Sequence, residues 1–130
     1  MIIDSSALVA ILRNEPEQLA FAEIVARAGG GRLSAASYLE TAIVIDRARD
    51  PVTSRMLDPF LSANGVIVEP VTPTQARIAR DAYRDFGKGS GHPAQLNFGD
   101  CLTYALAREA DEPLLFKGED FSRTDLRSAV

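Results

Sequence analysis

The sequence has one cysteine, one histidine, no tryptophan and two lysines among its 130 residues. A lone Cys101 can make neither an internal disulfide nor a cysteine-based zinc site, and a reducing cytoplasm is the expected location. With His92 the only histidine, a ribonuclease mechanism that passes a proton between two histidines is excluded within one chain. No run approaches the roughly 18 uncharged apolar residues of a transmembrane helix, so no membrane association is expected. The opening MIIDSSALVA has no basic stretch before its apolar run and meets Asp4 at once, which argues against a signal peptide. Repeats, linkers and low-complexity segments are also missing, and residues 1–130 read as one domain.

The net charge is −4. Affinity for nucleic acid ordinarily comes from excess Lys and Arg, so the sign alone counts against it. The objection weakens if some of the acids hold a divalent cation, which cancels two charges locally. Twelve of the fourteen basic residues are Arg, the better bidentate partner for phosphate.

Along the chain, apolar runs and helical periodicity alternate. Residues 1–4 read as a buried strand, and Ser5 and Ser6 offer caps to a helix over Ala7–Asn14. A second helix runs from Pro16 until Gly29–Gly31 stop it. A strand at Arg32–Ser34 leads into a helix over Ala35–Arg49, ended by Asp50-Pro51. Val52–Ala63 reads as one further helix with Asn64-Gly65 as its cap. GVIVEPV is a strand closed by Pro73, and Thr74 caps a helix to Phe86. GKGSGHPAQLN reads as a mobile loop. Gly99–Ala110 is helical and Pro113–Lys117 is a strand. This alternation predicts an α/β fold: a central, mostly parallel sheet of four or five short strands with helices on both faces.

Ligands of such sheets bind beyond the carboxyl ends of the strands. Asp4 ends the first strand and Asp120 follows the last. Asp100 opens a helix, at the positive end of its dipole. Glu40 sits within the apolar run of its helix, one turn from Ile43 and Val44, where a buried carboxylate is costly without a counter-charge. An all-oxygen donor set points to Mg²⁺ or Mn²⁺ rather than zinc. Each acid has a plainer reading: Asp4 as a helix cap, Asp100 as a first-turn acid, Asp120 as a solvated turn residue, Glu40 as an outward-facing side chain. The joint placement carries the argument.

Four segments, IIDSSALVAIL, SYLE, NFGDCLTYALA and PLLFKGEDFSRTD, resemble the PIN-domain ribonucleases, and more narrowly the VapC toxins of bacterial toxin–antitoxin pairs. The resemblance spans essentially the whole chain, in order and at matching spacing. It implies a PIN-like three-layer domain and a Mg²⁺- or Mn²⁺-dependent endoribonuclease. Its catalytic acids would be Asp4, Glu40, Asp100 and Asp120, with Asp4 and Asp100 as primary metal ligands and Ser6 ordering Asp4. Glu119 is an alternative to Asp120, and Asp125 is left unassigned. The implied partners are an RNA substrate, a small VapB-type antitoxin and a second copy of the chain in a homodimer.

Arg77, Arg80 and Arg84 share one helical face with Lys88 just beyond, which suits either RNA contacts or a solvated surface. Most of the apolar side chains of residues 7–28 are expected in the core, and any surplus on the outer face is a candidate partner surface. Cys101 reads as a small packing residue and His92 as a loop residue. The competing classes are a PIN-like binding module with weak or no nuclease activity, a phosphotransfer protein and a DNA-cleaving relative. A phosphatase of the aspartyl-phosphate type needs a second Asp at position 6, which is Ser. A receiver domain needs its acceptor Asp where Val68-Glu69-Pro70 stands. DNA-cleaving relatives are usually larger, with DNA-clamping elements that a compact chain lacks.

Overall fold

The computed structural model describes all residues, 1–130. In chain order the elements are β1 (Ile2–Ile3), α1 (Ser5–Leu12), α2 (Gln18–Ala28), β2 (Gly31–Ser34), α3 (Ala35–Arg47), α4 (Pro51–Ser54), α5 (Leu57–Ala63), β3 (Val66–Glu69), α6 (Pro73–Phe86), α7 (Phe98–Ala110) and β4 (Leu114–Leu115), with a short 3₁₀ turn at Phe121–Arg123. The four strands form one parallel sheet in the order β3-β2-β1-β4, with Ile2 opposite both Arg32 and Leu114. No helix is long and apolar enough to cross a membrane.

The two-residue strands β1 and β4 feed both faces of the sheet because successive side chains point opposite ways. Ile3 and Leu115 join Leu8, Leu12, Val25, Leu33 and Ile45 in one core, beneath α1, α2 and α3. Ile2 and Leu114 join Leu96, Ala105 and Leu106 in the other, beneath α6 and α7. Three layers follow from that alternation, as the α/β reading expected.

The strand order places a switch point between β1 and β4. The chain steps from β1 to β2 to β3 in one direction, then returns to the far side of β1. After β1 it enters α1 against one core, and after β4 it delivers Phe121 to the other. A crevice beyond the carboxyl ends of these two strands is the geometric result.

Some boundaries differ from the sequence reading, each for a local reason. Asp4, not Ser5 or Ser6, caps the first helix: its carboxylate accepts from the Ser6 amide, and the helix starts at Ser5. Thr72, not Thr74, caps α6 and accepts from the Gln75 amide, which leaves Pro73 at the first helical position, where its missing N–H costs nothing. The single helix expected over Val52–Ala63 is two, α4 and α5. Pro59 has no N–H for the carbonyl of Arg55 and its ring crowds that carbonyl, so the helix cannot run through. The glycine-rich segment after α6 is anchored at both ends, with its tip at residues 88–91 exposed. The Lys88 amide donates to Leu96 O and the Leu96 amide to Phe86 O, both at 2.9 Å, and Ala94 and Leu96 are fully buried. His92 packs edge-on against Phe86, and its Nδ1 accepts from the Ala94 amide.

Candidate active site

The crevice is built around Asp4, a carboxylate that remains only 4% exposed. A buried carboxylate needs donors, and three are supplied from two elements. One oxygen accepts from the Ser6 amide at 2.9 Å and the Ser6 hydroxyl at 2.6 Å. The other accepts from the Thr103 hydroxyl on α7 at 2.9 Å. Ser6 in turn accepts from the Lys117 amide at 3.0 Å, which ties Asp4 to the chain leaving β4. Ser37 of α3 lies 2.9 Å from the Thr103 hydroxyl. With the Thr103 proton committed to Asp4, Ser37 is the donor in that pair.

Asp100 stands one turn before Thr103 on α7. Its Oδ2 accepts from the Asn97 amide while Asn97 caps the Asp100 amide, a reciprocal capping box with both bonds at 2.9 Å. The plain readings of Asp4 as a helix cap and of Asp100 as a first-turn acid are thus realised alongside their place in the crevice. Burial is the main force raising the Asp100 carboxyl to a pKa of about 6, against the lowering effect of the Asn97 amide. The negative charges of Asp4, Asp120 and Glu40 push it in the same upward direction.

Glu40 is half-buried and points between the first turns of α1 and α7. Its Oε1 accepts from the Ser5 hydroxyl. On the other side it lies so near Gly99 that a Cβ there would come within 2.2 Å of Oε2. Asp120 is exposed at the turn after β4. The neighbouring Glu119 instead accepts from the Ser122 hydroxyl through both its backbone and its carboxylate oxygens. Asp125 lies elsewhere, accepting from the Tyr104 hydroxyl at 2.7 Å and pairing with Arg108.

None of the four candidate acids takes part in an ion pair, although Lys117 is nearby. Lys117 serves Glu17 at 3.0 Å and Glu15 at 3.6 Å instead. Four carboxylates that share a field without a basic partner, with no histidine or thiol among their donors, have the chemistry a hard divalent cation needs. In this conformation no three of them are arranged to share one ion. Asp100 is turned into its capping bond and Glu40 toward Ser5, while Asp100 Oδ1 makes no hydrogen bond. The donor set therefore fits such an ion in type, without being preassembled around a point.

Ser5 reads only as a helix cap in the sequence, and Ser37 and Thr103 are not singled out there. Their spacing carried a signal: Ser37 precedes Glu40 by three residues and Thr103 follows Asp100 by three, each pair on one helical face. The basic face of α6 divides. Arg80 and Lys88 line a cleft beside the α7 N-terminus, while Arg84 is held by Asp81 at 3.3 Å and Asp85 at 3.2 Å, and Arg77 is exposed and unpaired. The apolar surplus falls mainly on another element than expected. α1 is nearly consumed by the core, α2 leaves only Leu19 among its large apolar side chains well exposed, and α3 presents Leu39 and Ile43. The latter two share a groove with Phe98.

Residues 1–126 match the PIN domain family. Over 130 residues the chain is 58% identical to ribonuclease VapC28 of Mycobacterium tuberculosis, covering 100% of this chain and 98% of that one. It is 47% identical over 129 residues to ribonuclease VapC42 of the same species, covering 99% and 98%. Among solved structures, M. tuberculosis VapC20, a sarcin–ricin loop cleaving toxin, superposes with a TM-score of 0.74 at 17% identity, covering 96% and 95% of the two chains. A toxin–antitoxin complex from Klebsiella pneumoniae gives 0.70 at 14% identity, covering 93% and 89%. At such low identity the two structures speak for the fold.

Proposed function

The chain belongs to the PIN domain family, among its VapC ribonucleases, and from that premise we propose that it is a Mg²⁺-dependent endoribonuclease, the toxin of a VapBC-type pair. Mn²⁺ is the natural substitute for Mg²⁺. The observation that carries this reading is the set of four acids without ion-pair partners, Asp4, Glu40 and Asp120 acting on Asp100, whose own carboxyl is held at a pKa of about 6. Like charges are gathered where the fold supplies no cation to offset them, which is costly unless function requires it.

Asp4 and Asp100 would hold the ion, which supplies Lewis-acid polarisation of the phosphodiester and of an attacking water. The chain's own residues prepare that site. Ser6 and Thr103 fix both oxygens of Asp4, so that its orientation is set before substrate arrives. Glu40, held by Ser5 against Gly99, would with Asp120 hold the attacking water or a second ion. Asp120, exposed on the turn after β4, is near enough for its charge to act on Asp100. The antitoxin partner is a VapB-type protein, and the groove shared by Leu39, Ile43 and Phe98 suits an apolar segment of it or a second copy of the chain in a homodimer.

A second reading, a PIN-like binding module with little nuclease activity, draws on one observation: no three acids are arranged around a common point. RNA cleavage assays with Mg²⁺ or a chelator, run on wild type, Asp4→Asn and Asp100→Asn, separate the two. The nuclease reading expects cleavage by the wild type alone, abolished by chelation. Cleavage that either substitution leaves intact rejects the site.

A further inference from the structure

Beside the acidic crevice, between α6 and the first turn of α7, lies a largely apolar cleft of about 730 Å³, within the range of small-molecule sites, about 300–1,000 Å³. Its features do not match a leftover of core packing. Phe98, the first residue of α7 and two positions before Asp100, is 81% exposed, and Tyr83 on α6 is 48% exposed. Two exposed aromatic rings lining one apolar cleft form a contiguous patch of the kind that receives a partner.

Tyr83 is also immobilised. Its hydroxyl donates to Lys88 O at 2.8 Å, and its ring packs so tightly on Gly87 that a Cβ there would sit 2.7 Å from a ring carbon. Arg80 and Lys88 complete the wall, and neither is in an ion pair, in contrast to Arg84 one turn on. Along the lining, exposed Asn97 spends its side-chain oxygen on the Asp100 amide, and its amide NH₂ makes no hydrogen bond.

We propose that this cleft is a nucleobase subsite, in which one unstacked base of the RNA packs against Phe98 and Tyr83 while Arg80 and Lys88 hold the neighbouring phosphates. The proposal rests on the nuclease reading, and names how the same site chooses its RNA. Two free cations on a chain of net charge −4 complement a polyanion, and they argue for RNA over an apolar peptide. Proteins read single-stranded RNA by stacking splayed bases on aromatic rings and arginine planes, and by bonding to their edges. The free Asn97 NH₂ suits a base carbonyl. Because Phe98 and Asp100 share the first turn of α7, a base in the cleft fixes the register of the phosphate presented to the acids.

The test uses a synthetic RNA spanning the cut site mapped by sequencing RNA ends, made intact and with a single abasic ribose at each position flanking the cut. Wild type, Phe98→Ala, Phe98→Trp and Asp4→Asn are compared by kcat/KM, with a melting curve for each. At one position the abasic ribose should lower the wild-type value about tenfold to a hundredfold. Phe98→Ala should lose a similar factor on intact RNA, the two changes together should lose no more than either alone, and Phe98→Trp should restore cleavage. Losses that multiply overturn the subsite. So does a Phe98→Ala loss equal on intact and abasic RNA, whether it comes from splitting a dimer or from losing another protein contact. If Asp4→Asn fails to cleave while Phe98→Ala matches wild type, the subsite falls and the nuclease reading stands. If Asp4→Asn cleaves like wild type, both fall.

Discussion

The Thr103 hydroxyl donates to the Asp4 carboxylate at 2.9 Å, joining residues 99 positions apart in a buried contact. It ties the N-cap of α1 to α7, whose first turn holds Asp100. An acid at the amino end of the chain is thereby oriented by the helix that carries Asp100.

Replacing Thr103 with Val keeps the shape and removes the donor. Asp4 then loses one of its three hydrogen bonds while staying buried, which should cost about 1–3 kcal/mol of stability. Apparent Mg²⁺ affinity in the cleavage assay should fall about tenfold to a hundredfold, and Thr103→Ser should recover most of it. Denaturant titration and metal titration of the three proteins check both parts. Equal metal affinity in all three would remove Thr103 from the site.

The raised Asp100 carboxyl makes a signed prediction. Its pKa stands at about 6 in the folded chain against an ordinary value of 3.8, so the folded state holds this proton more tightly than the unfolded state. Its contribution to stability is therefore full below about pH 4 and is lost as pH rises through about 6. In chelator, Asp100→Asn should be more stable than wild type at pH 7, and the gap should close as pH falls from 6 to 4. Melting temperatures of the two proteins across that window test it. Apparent Mg²⁺ affinity of the wild type should weaken over the same descent, because the protonated acid cannot ligate.

Asp120 and Glu119 are adjacent but differently engaged. The Asp120 charge reaches Asp100, whereas Glu119 is occupied by Ser122. Asp120→Asn should lower kcat/KM for RNA by about tenfold or more, and Glu119→Gln should leave it within about threefold of wild type. The reverse order would transfer the role to Glu119.

Gly99→Ala separates folding from function. The new Cβ would meet Glu40 Oε2 at 2.2 Å, and the end of a flexible side chain can move aside. Ala also suits a helix better than Gly, by up to about 1 kcal/mol. The melting temperature should hold or rise while cleavage drops about tenfold as Glu40 is displaced. A stable variant with full activity would place Glu40 outside the chemistry.

Period and punctuation made the scaffold readable in advance. Apolar runs at 1–4 and 113–117, the helical stretch after Ala35 and the turn at Asn64-Gly65 are local signals, and they produced the layered parallel fold. The boundary errors also had local causes. Pro59 splits a helix by removing one donor, and Thr72 outcompetes Thr74 because Pro73 is best placed first. The anchoring of residues 87–97 at both ends was hidden, because Leu96 and Ala94 are buried by partners remote in sequence.

The sequence by itself determined the alternation of strands and helices, the parallel sheet, and the family to which four ordered motifs assign the chain. Those depend on side-chain period, backbone preference and residue order, which are written along the polymer. Only the tertiary structure decided which groups meet. It set Thr103 and Ser6 on Asp4, Gly99 against Glu40, the charge of Asp120 near Asp100, and an open aromatic cleft beside them. Packing two cores on opposite faces of one sheet brings α1, α3 and α7 together past its strand ends, and distance through space is a property no linear pattern contains.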